Sequence, residues 1–260
     1  LKIQVTGMDR LFDVSGKVVL ITGGSRGLGR ALSLAFAARG AKVVIASRKL
    51  DACEALAQVI RENAGDALAI SCHVGKWDSL EGVIDAAIAH YGGIDVLINN
   101  AGMSPLSESL LATSEALFDK IIDINLKGPL RLTALAAAKM SATGGGSIIN
   151  ISSLASLKPT PLTTVYSAAK AGLNALTRAS AQEYAASNVR VNCIMCGTFD
   201  TDATADFVHN PALADELVKS IAMGRVGRPE EIVGAALYLA SAASSYTTGC
   251  CIGIDGGVTP

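Results

Sequence analysis

Aromatic residues make up only 4% of this 260-residue chain, and tryptophan occurs once. No stretch approaches the roughly 20 apolar residues of a membrane span, so a membrane partner is not expected. Charge of one sign is also missing: 22 Lys and Arg face 23 Asp and Glu, for a formal net charge of −1, and no block of like charges occurs. That balance argues against nucleic acid or an anionic membrane surface as partner. Histidine is scarce, and His73, His90 and His209 lie far apart without carboxylates at ligand spacing, so no metal site is expected. The six cysteines, Cys53, Cys72, Cys193, Cys196, Cys250 and Cys251, are scattered, several inside apolar strand-like runs. They are expected to be reduced, buried small hydrophobes. Leu1 to Gly7 do not carry the basic, apolar and cleavage-site order of a signal peptide, so Met8 is the expected natural start and the cytoplasm the expected location. Internal repeats and low-complexity linkers are absent.

Half of the residues are hydrophobic and 26 are glycine, which suits one well-buried domain over 16–260 preceded by an N-terminal extension over 1–15. Lys17 to Thr22 is a continuous apolar run ending in glycines, the pattern of a strand buried on both faces. Helix 27–39, strand 42–46, helix 49–64, strand 67–72, helix 76–91 and strand 94–98 follow. A long helix over 114–142, strand 147–151, helix 164–187, strand 189–195, an irregular segment, helix 229–240 and strand 250–254 complete the alternation. Regular strand–helix alternation implies right-handed crossovers, and hence an α/β fold. The expected architecture is a single doubly wound (Rossmann) domain, with a parallel sheet of about seven strands and helices on both faces.

Tyr166 and Lys170 stand four apart within the segment Tyr166-Ser167-Ala168-Ala169-Lys170. On a helix this spacing places a phenol beside an ammonium. A phenol ionises near pH 10, and bringing it to about 7 takes roughly 4 kcal/mol. A unit charge about 4 to 5 Å away at an effective dielectric of about 20 supplies nearly that. The lysine is therefore expected to lower the phenol's pKa.

Between the first strand and helix lies Thr22-Gly23-Gly24-Ser25-Arg26-Gly27-Leu28-Gly29. Such glycines let a phosphate approach backbone N–H groups at the positive end of a helix. The spacing G-x-x-x-G-x-G points to a pyrophosphate-bearing dinucleotide. At the end of the second strand, where an acid would bind a free ribose 2′-hydroxyl, the chain instead reads Ser47-Arg48-Lys49. Arg48 can fork onto a 2′-phosphate, and Arg26 can reach the same group. NADP(H) is thus preferred, with NAD(H) the alternative.

These residues resemble the short-chain dehydrogenase/reductase family in its single-domain branch, from Lys17 to the C-terminus. The carriers are Thr22 to Gly29, Asn99-Asn100-Ala101-Gly102, Ser153, and Tyr166 with Lys170. The resemblance implies that Asn99 to Gly102, including Asn100 and Ala101, support the sheet and line the adenosine-ribose side of the cofactor site. It implies that the Asn125 backbone holds a water in a proton relay to the lysine. Ser153 orients the substrate, and Ser152, on the other face by period-two alternation, is its control. Gly197, Thr198 and Thr201 match the segment that contacts the nicotinamide amide or the phosphates. Two departures stand out. His73-Val74 replaces the family's usual Asp-Val, so His73 either meets the adenine or is a plain loop histidine. Cys196-Gly197 replaces Pro-Gly, which loosens the loop and raises a redox role for Cys196.

The implied reaction is reversible hydride transfer between nicotinamide and a carbonyl or secondary alcohol. Tyr166 donates the proton, Ser153 holds the oxygen, and Lys170 biases the phenol and binds the ribose. Phe207, Val208, Leu213, Leu217, Val218, Ile221, Ala222 and Met223 predict a helical lid over about 199–227 with an apolar inner face. The substrate is then a 3-oxoacyl thioester or another apolar ketone. Sugar, polyol and steroid dehydrogenation, or a non-catalytic NADPH-sensing role, are the alternatives. Apolarity beyond one face in 114–142 and 164–187, with the tail Cys250 to Gly257, implies a homotetramer.

Overall fold

The computed structural model describes residues 10–259. Seven parallel strands form one sheet in the order β3-β2-β1-β4-β5-β6-β7. The strands are β1 (Val18–Thr22), β2 (Lys42–Ser47), β3 (Asp66–Ser71), β4 (Val96–Asn99), β5 (Gly146–Ser153), β6 (Val189–Cys196) and β7 (Cys251–Ile254). All five residues of β1 are buried, as expected of a central strand covered on both faces. The connection from β3 returns past β1 to β4, so the order reverses between β1 and β4. At such a switch point the loops beyond the strand C-termini part, and a crevice opens.

Alternation along the strands builds two cores. Val19, Ile21, Val43 and Ile45 face α1 (Gly27–Ala37), α2 (Leu50–Glu62) and α9 (Val233–Ala240), with Leu32, Phe36, Leu56 and Ala236 filling that layer. Val18, Leu20, Val44 and Leu97 face the opposite layer, where Leu80 and Ile84 of α3 (Leu80–Tyr91) meet Leu132 and Ala136 of α5 (Gly128–Ala142). Val14, expected in the N-terminal extension, is only 1% exposed and joins the first core.

The element borders differ from expectation in three places that matter for the site. The single helix expected over 114–142 is divided into α4 (Glu115–Ile122), a widened turn Asp123–Lys127, and α5, with the Gly128 N–H reaching the Asp123 carbonyl five residues back. Local periodicity does not register one extra residue in a turn. The helix expected over 164–187 is α6 (Thr164–Tyr184), closed by a short turn and by Asn188 in the left-handed region at φ 60°. The segment left irregular in the alternation, but read as a helical lid over about 199–227, holds two short helices, α7 (Ala205–Val208) and α8 (Pro211–Lys219), in keeping with the lid reading. In that lid the intended inner face is only partly covered: Ile221 is buried, whereas Phe207, Leu213 and Met223 are exposed.

Candidate active site

The glycine loop between β1 and α1 is packed too tightly for side chains. A Cβ on Gly29 would lie 2.1 Å from the Gly23 carbonyl oxygen and 2.6 Å from Asn100 Nδ2, and Gly23 itself holds φ +63°. Asn100 laces this loop to β4: its Nδ2 donates to the Thr22 carbonyl at 2.8 Å and the Gly23 carbonyl at 3.2 Å. Thr22 Oγ1 accepts from the N–H groups of Asn100 and Ala101, each at 3.1 Å. The result is a cradle of backbone N–H groups at the start of α1, where the helix dipole favours an anion.

A cleft of about 720 Å³ starts at this cradle and runs along the C-terminal edge of the sheet. It gathers Gly23, Ser25, Arg26, Leu28 and Gly29 with Ser47, Arg48, His73 and Val74, and continues past Asn100, Ala101 and Gly102 to Ser153, Tyr166, Lys170, Gly197 and Thr201. Three residues expected at the site stand off its lining. Gly27 borders a neighbouring cavity with Arg30 and Asp202. Thr198 turns its carbonyl to the Gly227 N–H at 2.9 Å. Asn125 lies behind the lining, fully buried.

At the outer end Ser25 and Ser47 share a hydrogen bond of 2.9 Å. Arg26 and Arg48 flank them, both exposed, and neither forms an ion pair among the described residues. The cradle that a Cβ would fill fits the pyrophosphate of a dinucleotide, and the two hydroxyls and two guanidinium groups lie at its outer end. His73 lines the same end, with its Nδ1 accepting from the Gly75 N–H at 3.1 Å.

At the inner end β5 delivers Ser153 and α6 delivers Tyr166 and Lys170. Lys170 is 4% exposed, its Nζ donates to the Ile151 carbonyl at 2.7 Å, and it stands 5.7 Å from the Tyr166 ring centre. The expected lowering of the phenol by lysine is not what this arrangement gives. Burial pushes Tyr166 up to about 12, opposed by its hydrogen bond with Ser153. The ammonium is itself pushed down to about 8 by burial. Sequence spacing supplied the charge but not the cost of ionising a phenol away from water. Tyr166 is thereby held as a neutral acid, the form that donates a proton.

A pH profile follows from these values. The phenol stays protonated throughout the working range, while Lys170 loses its charge as pH rises through about 8. The rate of carbonyl reduction is therefore expected to fall above about pH 8, read as kcat/KM against pH; a flat profile to pH 10 contradicts it. The shift of Lys170 from 10.5 to about 8 costs the folded state about 3 kcal/mol below pH 8. The unfolded chain binds more protons between those values, so this contribution makes stability rise from about pH 8 to 10.5.

Asn125 occupies the widened turn between α4 and α5. Its Nδ2 donates to the Met103 and Ile121 carbonyls, each at 2.9 Å, and its Oδ1 accepts from the Met103 N–H at 3.2 Å. A Cβ placed on Gly102 would lie 3.1 Å from Asn125 Oδ1 and 3.5 Å from Lys170 Nζ, so the three residues converge. Ser152 is 3% exposed and gives its hydroxyl to the Lys170 carbonyl at 3.3 Å, whereas Ser153 Oγ accepts from the Ala155 N–H at 3.1 Å and meets the phenol.

Sequence reasoning missed Met103, Lys120 and Thr204, which also line the cleft. Thr204 Oγ1 receives the Thr201 N–H at 3.1 Å, and its only sequence signal was the three-residue spacing in Thr201-Asp202-Ala203-Thr204. Cys196 lines the cleft, but burial pushes its thiol up to about 12, which removes the redox role raised for it. Cys250 and Cys251 are half-exposed rather than buried. Cys193 and Cys196 stand at C-x-x-C spacing, yet three positions along a strand place them on opposite faces.

One continuous cleft joining a phosphate cradle to a half-buried, proton-bearing phenol is what hydride exchange at a CH–OH or carbonyl group requires. Fold and site together define a nicotinamide-dependent oxidoreductase of that class. The chain belongs to the short-chain dehydrogenase/reductase family. A family model described as enoyl-(acyl carrier protein) reductase matches residues 23–259. Dehydrogenase/reductase SDR family member 4 of Bos taurus is 36% identical over 96% of this chain and 90% of its own length. The 3-oxoacyl-(acyl-carrier-protein) reductase FabG of Chlamydia trachomatis is 39% identical over 93% of this chain and 97% of its own. A 3-oxoacyl (acyl-carrier-protein) reductase from Agrobacterium tumefaciens C58, solved with NADP bound, superposes with a TM-score of 0.92 at 33% identity, covering 99% of this chain and 100% of that one.

Proposed function

We propose that this protein is an NADP(H)-dependent reductase of 3-oxoacyl thioesters or similarly apolar ketones. The observation that carries the reading is the pair Arg26 and Arg48, open and unpaired beside Ser25 and Ser47, at the far end of a cleft whose inner end holds Ser153, Tyr166 and Lys170. The bound dinucleotide supplies the hydride. Tyr166 gives its phenolic proton to the substrate oxygen, which Ser153 holds by its hydroxyl, so hydride and proton together convert carbonyl to alcohol. Lys170 stabilises the phenolate left behind, and Asn125 fixes the Met103 backbone beside it. Exposed Leu106, Leu157 and Leu162 supply apolar surface on two loops that the Ser107 N–H joins to the Leu162 carbonyl at 3.0 Å, which suits an acyl chain better than a polyol. The same reading includes a homotetramer built through α4, α5, α6 and the tail, with Phe118 and Leu130 as exposed apolar anchors. It also includes a cytoplasmic location; no described helix is long and apolar enough to cross a membrane.

The test is depletion of NADPH and, separately, NADH at 340 nm with a 3-oxoacyl thioester, a diketone, a keto sugar and a ketosteroid. Arg48→Glu is expected to lower kcat/KM with NADPH by ~10–100-fold and to spare NADH, as loss of a charge-assisted hydrogen bond implies. Turnover of the wild type with NADH alone overturns the cofactor reading, and turnover of the keto sugar alone overturns the substrate reading.

A further inference from the structure

Helix α6 carries a third polar side chain in line with the two that meet the cleft. Tyr166, Lys170 and Asn174 follow one another at intervals of four and so share one face of the helix. Asn174 is 5% exposed and stands outside the cleft lining, one turn beyond Lys170. A buried amide is costly unless its polar atoms are paired. Here both ends are engaged: Nδ2 donates to Ser156 Oγ at 2.9 Å and to Met195 Sδ at 3.5 Å, and Oδ1 lies 3.3 Å from Cys193 Sγ. A thioether accepts and never donates, so the contact with Met195 fixes which end of the amide turns to Ser156.

Ser156 closes the short turn Leu154–Ser156 that follows β5, and Ser153 opens it. At the closing end Ser156 Oγ, accepting from Asn174, gives its own hydrogen to the Ser153 carbonyl at 2.6 Å. At the opening end the Ala155 N–H donates to Ser153 Oγ at 3.1 Å. A hydroxyl has one hydrogen and two lone pairs. With one lone pair of Ser153 Oγ taken by Ala155, its hydrogen is left to turn towards the phenol and the substrate oxygen. The turn thus sets where the Ser153 hydroxyl stands, and Asn174 pins the turn to α6. One helix thereby carries the proton donor and also sets its distance from the serine that holds the substrate.

We propose that Asn174 is a positioning residue for carbonyl reduction, acting through Ser156 and the turn Leu154–Ser156 to keep the Ser153 hydroxyl in place beside Tyr166. The proposal rests on the reductase reading of the cleft. A side chain that touches neither substrate nor cofactor matters here because reacting groups must be held to within about 0.5 Å of their productive geometry by the bonds behind them.

The test compares Asn174→Leu, which keeps the bulk and the helix but has no hydrogen to donate, with Ser156→Ala and the double variant, each in the full chain. Hydrogen exchange over 154–158 in the absence of substrate is expected to quicken about tenfold in Asn174→Leu, the worth of one hydrogen bond. The Leu157 and Lys158 N–H groups, which both reach the Leu154 carbonyl at 2.9 Å, report the turn. The single-turnover rate with a ketone that the wild type reduces should fall about tenfold in each single variant and no further in the double, because both act on one link. The dissociation constant of NADPH should stay within about twofold, and the loss of kcat/KM above about pH 8 should keep its midpoint, since Lys170 and the phosphate cradle are untouched. Unchanged exchange over 154–158, a roughly hundredfold loss in the double variant, or NADPH affinity falling in parallel with the rate would each overturn the proposal. The exchange readout needs no turnover: unchanged exchange in an active enzyme removes the positioning role alone, whereas a wild type that reduces no ketone removes the reductase reading and this role with it.

Discussion

Tyr166→Phe is expected to lower kcat about 10²–10⁴-fold, the usual range for losing a positioned general acid, with NADPH affinity nearly intact. The change deletes one oxygen at the inner end of the cleft and leaves the ring beside Lys170. Neither the cradle at Gly23 to Gly29 nor the arginines at the outer end touch that oxygen. The proposed role of the phenol as acid suits its environment: burial raises its pKa to about 12, so it carries its proton at working pH, and Ser153 opposes that rise. Steady-state rates and fluorescence titration of NADPH measure the two effects separately. Comparable turnover in the variant would remove Tyr166 from the chemistry, and parallel loss of NADPH binding would show that the hydroxyl holds the cofactor instead.

Gly29→Ala is the second large effect. The new methyl would sit 2.1 Å from the Gly23 carbonyl oxygen, a backbone atom that cannot rotate aside, and 2.6 Å from Asn100 Nδ2. Relief requires the loop to open, which separates the N–H groups of the cradle and strains the Asn100 bonds to Thr22 and Gly23. Overpacking of this kind costs about 1–3 kcal/mol or more. NADPH affinity is therefore expected to fall ~10–100-fold, with a lower Tm as well. Gly234→Ala on α9 is the control, because a Cβ there meets nothing within 4 Å. A helical Gly-to-Ala change without contacts is neutral or slightly stabilising. Equal behaviour of the two variants would show that the cradle yields without cost.

The fold was legible because buried parallel strands and their covering helices each write a distinct period into the chain. Val18 to Thr22 is apolar at every position since both faces are covered, and Gly29 reads as glycine because a carbonyl stands where its side chain would be. The widened turn at Asp123–Lys127 was not legible. It changes neither residue type nor amphipathic period, and its purpose, turning Asn125 onto Met103, depends on a loop 22 residues away. The lid shows the opposite case, with apolar residues whose spacing implied a covered face but whose actual exposure depends on what packs there.

By itself, then, the sequence determined the strand and helix order, the phosphate cradle, the arginines in place of an acid, and the Ser153, Tyr166 and Lys170 constellation. Those are local patterns or short spacings, and local patterns are fixed by backbone geometry. Only the tertiary structure decided the protonation of that constellation, because Tyr166 rises to about 12 and Lys170 falls to about 8 through burial by residues distant in the chain. It also decided which cysteines meet. Cys193 has a sequence neighbour at C-x-x-C spacing on the opposite face, and its partner Cys251 lies 58 positions away, brought alongside by sheet register alone.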